Sequence, residues 1–254
     1  MSSSRGFMHR FLVWLGSHEL AVLLAFGAMF CGVWLFAAIA GEVMDGDTQT
    51  LDQQLLVAMR HPEDHTPIGP PSILDAARDV TALGGVTVLG LLTLATGIFL
   101  FLDGKKKMAL LVYGAVGGGT LVSGILKSLY QRPRLDLVPH GAYVSTTSFP
   151  SGHSMLSAVT YLTLGALLAR SYPQKRMKAF FLLLAGLLTL MVGVSRVYLG
   201  VHWPTDVLAG WTAGASWAIL CWLVAHWLQG RHAIEDGGED DAERAWEQGS
   251  AEDG

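Results

Sequence analysis

The sequence predicts an all-α membrane protein, a bundle of six transmembrane helices with a short amphipathic extracytoplasmic segment between the first and second. Two observations on composition and one on pattern lead there. Hydrophobic residues fill 51% of 254 positions and charged residues 15%. The mean hydropathy of +0.41 is too apolar for a water-soluble domain of this length. The pattern is six apolar runs, roughly Leu20–Ala40, Val80–Leu102, Met108–Leu126, Ser154–Ala169, Ala179–Val194 and Val207–Leu228, parted by polar connections.

Residues 1–19 form the N-terminal segment, with Arg5 and Arg10 ahead of the first run. That run ends in Ala38-Ile39-Ala40, similar to a signal-peptidase site. Its apolar stretch of about 20 residues exceeds the usual signal core of about 7–15, so it reads as a retained helix. The first connection, residues 41–79, carries Leu51, Leu55 and Met59 at helical spacing, then Pro62, Pro67, Pro70 and Pro71. This predicts a short amphipathic helix lying on the membrane, followed by an irregular turn. A bilayer core about 30 Å thick needs about 20 helical residues, so the fourth and fifth runs span only with polar ends. Gly114 with Gly118, and Gly210 with Gly214, have the four-residue spacing of close helix packing.

From Arg231 to Gly254 the chain holds nine acidic and two basic side chains and little that could be buried, so residues 229–254 are expected to be a disordered cytoplasmic tail. Cys31 and Cys221 each lie inside an apolar run, which excludes a disulfide framework and a thiolate metal site.

Lys105, Lys106 and Lys107 occupy the second connection, and Arg170, Lys175, Arg176 and Lys178 the fourth. Positive charge marks cytoplasmic loops, so both termini are expected in the cytoplasm. Connections one, three and five then face outward, although Lys127, Arg132, Arg134 and Arg196 fall there, against the same rule. A single such cation is ordinarily an interfacial side chain snorkelling to headgroups. Four on one side weaken that reading.

Lys127, Arg134 and Arg196 converging on one volume repel each other unless an anion lies between them. Phosphate is the natural occupant, since guanidinium forks match its oxygens in pairs. Ser151 reads as the cap of the fourth helix, and Gly152 allows close backbone approach to an anion at the helix N-terminus. Taken alone, those two residues make an ordinary cap. His202 and Asp206 stand four apart at the start of the sixth helix, stacked on one face, with Pro204 tolerated in the first turn. Any single pair of this spacing is most often a satisfied helix cap. In an anion site, however, the carboxylate holds the imidazole tautomer and the imidazole becomes a nucleophile toward phosphorus. His153 is then placed to protonate the leaving oxygen and later to deprotonate water.

Together, in order, these segments closely resemble the signature of the type 2 phosphatidic acid phosphatase superfamily: Lys-x6-Arg-Pro, Pro-Ser-Gly-His and Ser-Arg-x5-His-x3-Asp. Lys127 and Arg134 match the first part, with Leu135 in place of its proline. Pro150, Ser151, Gly152 and His153 match the second, and Ser195, Arg196, His202 and Asp206 the third. The match covers about a third of the chain. Leu135 affects the stiffness of the loop more than the role of Arg134, because proline contributes a fixed φ and no phosphate contact.

The resemblance implies a reaction without metal or cofactor and a phosphohistidine on His202. It assigns Asp206 and His153 as its catalytic partners, and Lys127, Arg134, Ser151, Gly152 and Arg196 as phosphate ligands. The expected activity is hydrolysis of a phosphomonoester or pyrophosphate on a lipid, at the outer face of a bacterial inner membrane. Undecaprenyl pyrophosphate, phosphatidylglycerol phosphate and phosphatidate are the candidate substrates. Phosphotransfer to another lipid uses the same residues, and a non-catalytic lipid-phosphate binding or transport protein is a third class. The expected partners are that lipid and the surrounding membrane lipids, not nucleic acid, and no motif encodes oligomeric state. Arg132 stands outside the signature and reads as solvated in preference to a secondary headgroup contact, and His65, His140 and His232 receive no role.

Overall fold

The computed structural model describes residues 20–132 and 147–252, with side chains as far as Leu228. Its elements are α1 (Leu20–Asp45), α2 (Gln49–Val57), α3 (Pro71–Ala82), α4 (Val86–Leu102), α5 (Lys106–Tyr130), α6 (Gly152–Arg170), α7 (Lys175–Tyr198) and α8 (Pro204–Glu252). Outside the helices the described residues include one isolated bridge, between Arg60 and Pro67. The protein is an all-α bundle. Helices α1, α5, α6, α7 and the first 25 residues of α8 are each long and apolar enough to cross a membrane. The pair α3–α4 is long and apolar enough only when taken together, and it is bent by 46° at the break between the two helices; counted as one span it brings the total to six.

That bend corrects the single continuous helix expected over Val80–Leu102. Helix α3 ends at Ala82, and Gly84 and Gly85 carry the chain to α4. A Cβ on Gly84 would lie 2.3 Å from Val192 Cγ1 and 3.3 Å from the His153 carbonyl oxygen. Only glycine permits this approach, so the break sits where α3 and α4 meet α6 and α7.

Helix α6 is central, packed on α5, α7 and α8, while α8 also packs along α1. The crossing of α6 and α8 is close because Gly210 and Gly214 face it: a Cβ on Gly214 would lie 2.5 Å from the Met155 carbonyl oxygen. Gly118 serves likewise against Trp217, but Gly114 faces open space, so the expected packing role does not extend to it. Outward-facing Leu24, Phe30, Leu91, Phe99, Leu121 and Leu183 are exposed on the bundle. A continuous apolar exterior of this kind is stable in lipid, where the helical backbone satisfies its own polar groups.

Helix α2 forms where amphipathic spacing predicted it, with Leu51 and Leu55 exposed. The face turned to the protein carries Asp52 and Leu56, both fully buried. Leu56 packs with Val197, Trp203 and Val207, which seats α2 on the junction between α7 and α8. Past Leu228 the backbone of α8 continues as helix to Glu252, where an unstructured tail was expected. Ala, Glu, Gln and Arg recur there, and all favour helix locally.

Candidate active site

The site gathers at the end of the bundle opposite the Lys105–Lys107 and Arg170–Lys178 turns. Lys127 lies in the last turn of α5, which stops at Gln131 in the left-handed conformation. Its Cε and Nζ come within 3.4 Å of the position a Cβ would take on Gly152. Glycine therefore leaves the ammonium room beside the first turn of α6. Ser151 caps that helix, accepting the Ser154 N–H at 3.5 Å and the Ser154 hydroxyl at 2.9 Å. The positive end of the α6 dipole thus adjoins the lysine. His153 follows, half-buried, with Nε2 4.0 Å from the Cβ position of Gly85 at the α3–α4 break.

Arg196, in the last turn of α7, is buried and donates Nη1 to Thr81 Oγ1 at 3.0 Å. Helix α7 ends at Tyr198, and Gly200 turns the chain at φ 72°. That turn delivers His202 and then α8. His202 is 1% exposed and Asp206 0%. The imidazole Nδ1 lies 3.3 Å from Asp206 Oδ2, which also accepts the Trp203 N–H at 3.1 Å. The Ser151 N–H donates to the Asp206 carbonyl at 2.9 Å, joining the starts of α6 and α8. With Nδ1 turned to the carboxylate, the imidazole keeps Nε2 for another partner.

Contacts therefore run in sequence from Arg196 through Thr81 and the glycine break to His153, Gly152 and Lys127, and from Ser151 to Asp206 and His202. Of the residues picked out from the sequence, Lys127, Ser151, Gly152, His153, Arg196, His202 and Asp206 are assembled. Arg134 and Leu135 lie outside the described residues. Among the described residues, no three His, Cys, Asp or Glu side chains group closely enough to hold a metal ion.

Arg132 requires correction. It is not solvated: its side chain is 10% exposed and bridges two buried carboxylates, Nη1 to Asp206 Oδ1 at 2.7 Å and Nη2 to Asp52 Oδ2 at 2.9 Å. It also donates to Thr205 Oγ1 at 3.0 Å and lies over the Trp203 ring, 5.4 Å from the centroid. Asp52 in turn accepts the Thr205 N–H at 3.0 Å and hydroxyl at 2.6 Å. Neither Asp52 nor Thr81 was a candidate from the sequence. Asp52 occupied the same predicted helix as Leu51 and Leu55, and its full burial is visible only once α2 docks.

A family model described as the PAP2 superfamily matches residues 107–229, which hold all of these site residues except Asp52 and Thr81. Phosphatidylglycerophosphatase B of Bacillus subtilis is 35% identical over 148 residues, covering 58% of this chain and 72% of that protein. The chain belongs to the PAP2 superfamily. It is a membrane lipid phosphatase of that superfamily. A crystal structure of a transmembrane PAP2-type phosphatidylglycerolphosphate phosphatase from Bacillus subtilis superposes with a TM-score of 0.67 at 29% identity. The superposition covers 76% of this chain and 93% of that one. An undecaprenyl-diphosphatase of Sulfolobus acidocaldarius is 40% identical over 70 residues, 28% of this PAP2 chain and 29% of that protein.

Proposed function

We propose that this PAP2 phosphatase hydrolyses a phosphomonoester or pyrophosphate on a lipid through a phosphohistidine formed on His202. The observation that carries the reading is the buried His202–Asp206 pair, Nδ1 to Oδ2 at 3.3 Å, beside the N-terminus of α6. Asp206 holds the tautomer in which Nε2 bears a lone pair. Nε2 attacks phosphorus, the bond from phosphorus to the lipid oxygen breaks, and His153 gives its proton to that oxygen. Asp206 stabilises the positive charge that develops on the imidazole. His153, now neutral, takes a proton from water as the water oxygen attacks the phosphohistidine. Inorganic phosphate leaves, and both histidines return to their starting states. When the substrate is a pyrophosphate, the leaving oxygen belongs to the lipid monophosphate.

Lys127, Arg196, the Ser151–Gly152 turn and Arg134 bind the phosphoryl oxygens, whose charge is spread over three equatorial positions in the transition state. No step draws on a metal ion. The lysine and arginine clusters at the opposite end of the bundle support a cytoplasmic location for that end, and hence a site on the outer face of a bacterial inner membrane. Phosphatidylglycerol phosphate and undecaprenyl pyrophosphate are the leading substrates, with phosphatidate the third. The names of the relatives support the first two.

Phosphate release by purified protein in detergent, assayed against these three lipids with His202→Ala as control, tests the reading. We expect release from at least one of them and none in the variant. Full turnover by His202→Ala would overturn it.

A further inference from the structure

We propose that Asp52 and Arg132 are positioning residues for this reaction, and that through the buried bridge Asp52–Arg132–Asp206 the short helix α2 holds the His202–Asp206 pair in its working arrangement. The inference rests on the reading of His202 as nucleophile and Asp206 as its partner. It adds a residue, Asp52, that lies outside the stretch matched by the family model.

The bridge is built as a unit. Both carboxylates have fully buried side chains and the guanidinium between them is 10% exposed. A buried charge stripped of its partner is strongly unfavourable, so none of the three is an incidental neighbour. The planar fork suits the task, because two nitrogens reach two acids on different helices at once. Asp52 does more than balance Arg132: it also accepts both donors of Thr205 in the first turn of α8, where an acid complements the helix dipole. Trp203, Thr205 and Asp206, which follow His202, are therefore each fixed by Arg132 or Asp52.

An anchor for a loop would need only Asp52 and Thr205. What exceeds that need is the 2.7 Å contact between Arg132 and Asp206 Oδ1, the oxygen that His202 does not use. Arg132 shares the carboxylate with the imidazole, fixing its rotamer and drawing part of its negative charge away from the ring. The geometry also argues against Arg132 as a headgroup ligand, since Nη1 and Nη2 are already committed to Thr205, Asp206 and Asp52.

Charge then predicts opposite effects for the two ends of the bridge. Among the described residues, the charged and titratable groups around the pair are Asp52 on α2, Arg60 beyond it, Lys127 on α5, Arg132 just past its end, His153 on α6 and Arg196 on α7. Arg60 is occupied with the carbonyls of Val197 and Tyr198. Removing the cation of Arg132 leaves Asp206 free to favour imidazolium, so the acid limb of the kcat/KM profile should move to higher pH. Removing the anion of Asp52 leaves Arg132 to Asp206 alone, and the limb should move to lower pH.

The experiment uses the full-length protein in detergent with a lipid phosphate that the wild type hydrolyses, comparing Arg132→Gln, Asp52→Asn, Arg132→Lys and His202→Ala. For the Gln and Asn variants we expect kcat to fall by about 10- to 100-fold, the loss typical of displacing a reacting group by about 1 Å. KM should stay within about two-fold, since neither residue touches substrate, and the acid limbs should separate in opposite directions. Arg132→Lys keeps the charge and loses the fork, so its kcat falls while its limb stays. It remains informative if the Gln and Asn variants do not fold. Wild-type kcat in folded Arg132→Lys, a raised KM at unchanged kcat, or limbs that do not separate in folded Gln and Asn variants would overturn the proposal. Turnover by His202→Ala would instead overturn the nucleophile assignment beneath it.

Discussion

Gly210→Ala adds one methyl group at the crossing of α6 and α8, and the structure sets the size of its effect. The new Cβ would lie 2.7 Å from the Ser151 carbonyl oxygen, 2.9 Å from Ser154 Cβ and 3.1 Å from the Met155 nitrogen. Ordinary contacts between carbon atoms are about 3.5–4.0 Å, so the helices must part by roughly 0.5–1 Å. Two of the three obstructing atoms are backbone, so no side-chain rotation relieves the clash. Overpacking of this kind costs about 1–3 kcal/mol. The separation also strains the 2.9 Å bond from the Ser151 N–H to the Asp206 carbonyl, which ties the His153 end of α6 to the His202 end of α8. A shift approaching 1 Å between reacting groups lowers the rate by about 100-fold. The assay is kcat for phosphate release together with the thermal unfolding midpoint in detergent, with Gly114→Ala as control. Gly114 sits in a helix with nothing near its Cβ position, so alanine there should be neutral or stabilising by up to about 1 kcal/mol. Wild-type kcat and midpoint in Gly210→Ala would show that the crossing of α6 and α8 takes up the methyl group without moving the site.

Leu56→Ala removes the fully buried side chain with which α2 meets Val197, Trp203 and Val207, and should destabilise the protein by about 2–5 kcal/mol, read as a lowered unfolding midpoint. Arg196→Lys retains charge but loses the fork that reaches Thr81, and charged hydrogen bonds are worth about 1.5–3 kcal/mol. Its kcat/KM should therefore fall roughly 10- to 100-fold, and an unchanged value would show that the fork is dispensable. Vanadate, which adopts five-coordinate geometry, should inhibit strongly and EDTA little. Loss of activity in EDTA, restored by Mg²⁺, would contradict the mechanism.

The parts of this fold that were legible in the sequence are those set by local pattern. Hydropathy alone located α1, α5, α6, α7 and α8, because a span needs a long apolar stretch wherever it sits in the bundle. The pairing of His202 with Asp206 was legible from their spacing, although His202 stands two residues ahead of α8 and not in its first turn, and meets Asp206 as the chain enters the helix. The break at Gly84 was not legible, because its cause is the approach of His153 and Val192 from distant segments. The burial of Arg132 is not legible for a related reason. A cation beside an outward connection resembles a snorkelling side chain until α2 brings Asp52 to it, 80 residues away in the chain. For α2, the spacing of Leu51, Leu55 and Met59 identified the helix but not its buried face, which Asp52 and Leu56 occupy.

A phosphohistidine mechanism requires a covalent phosphoryl group on His202, and that intermediate can be trapped. The protein would be mixed with a lipid phosphate radiolabelled in its terminal phosphoryl group, quenched rapidly in alkali, and digested to map the label. Label is expected on the peptide containing His202, stable in alkali and lost in acid, and absent from His202→Ala. Label on another residue, or turnover that survives in His202→Ala, would contradict that mechanism.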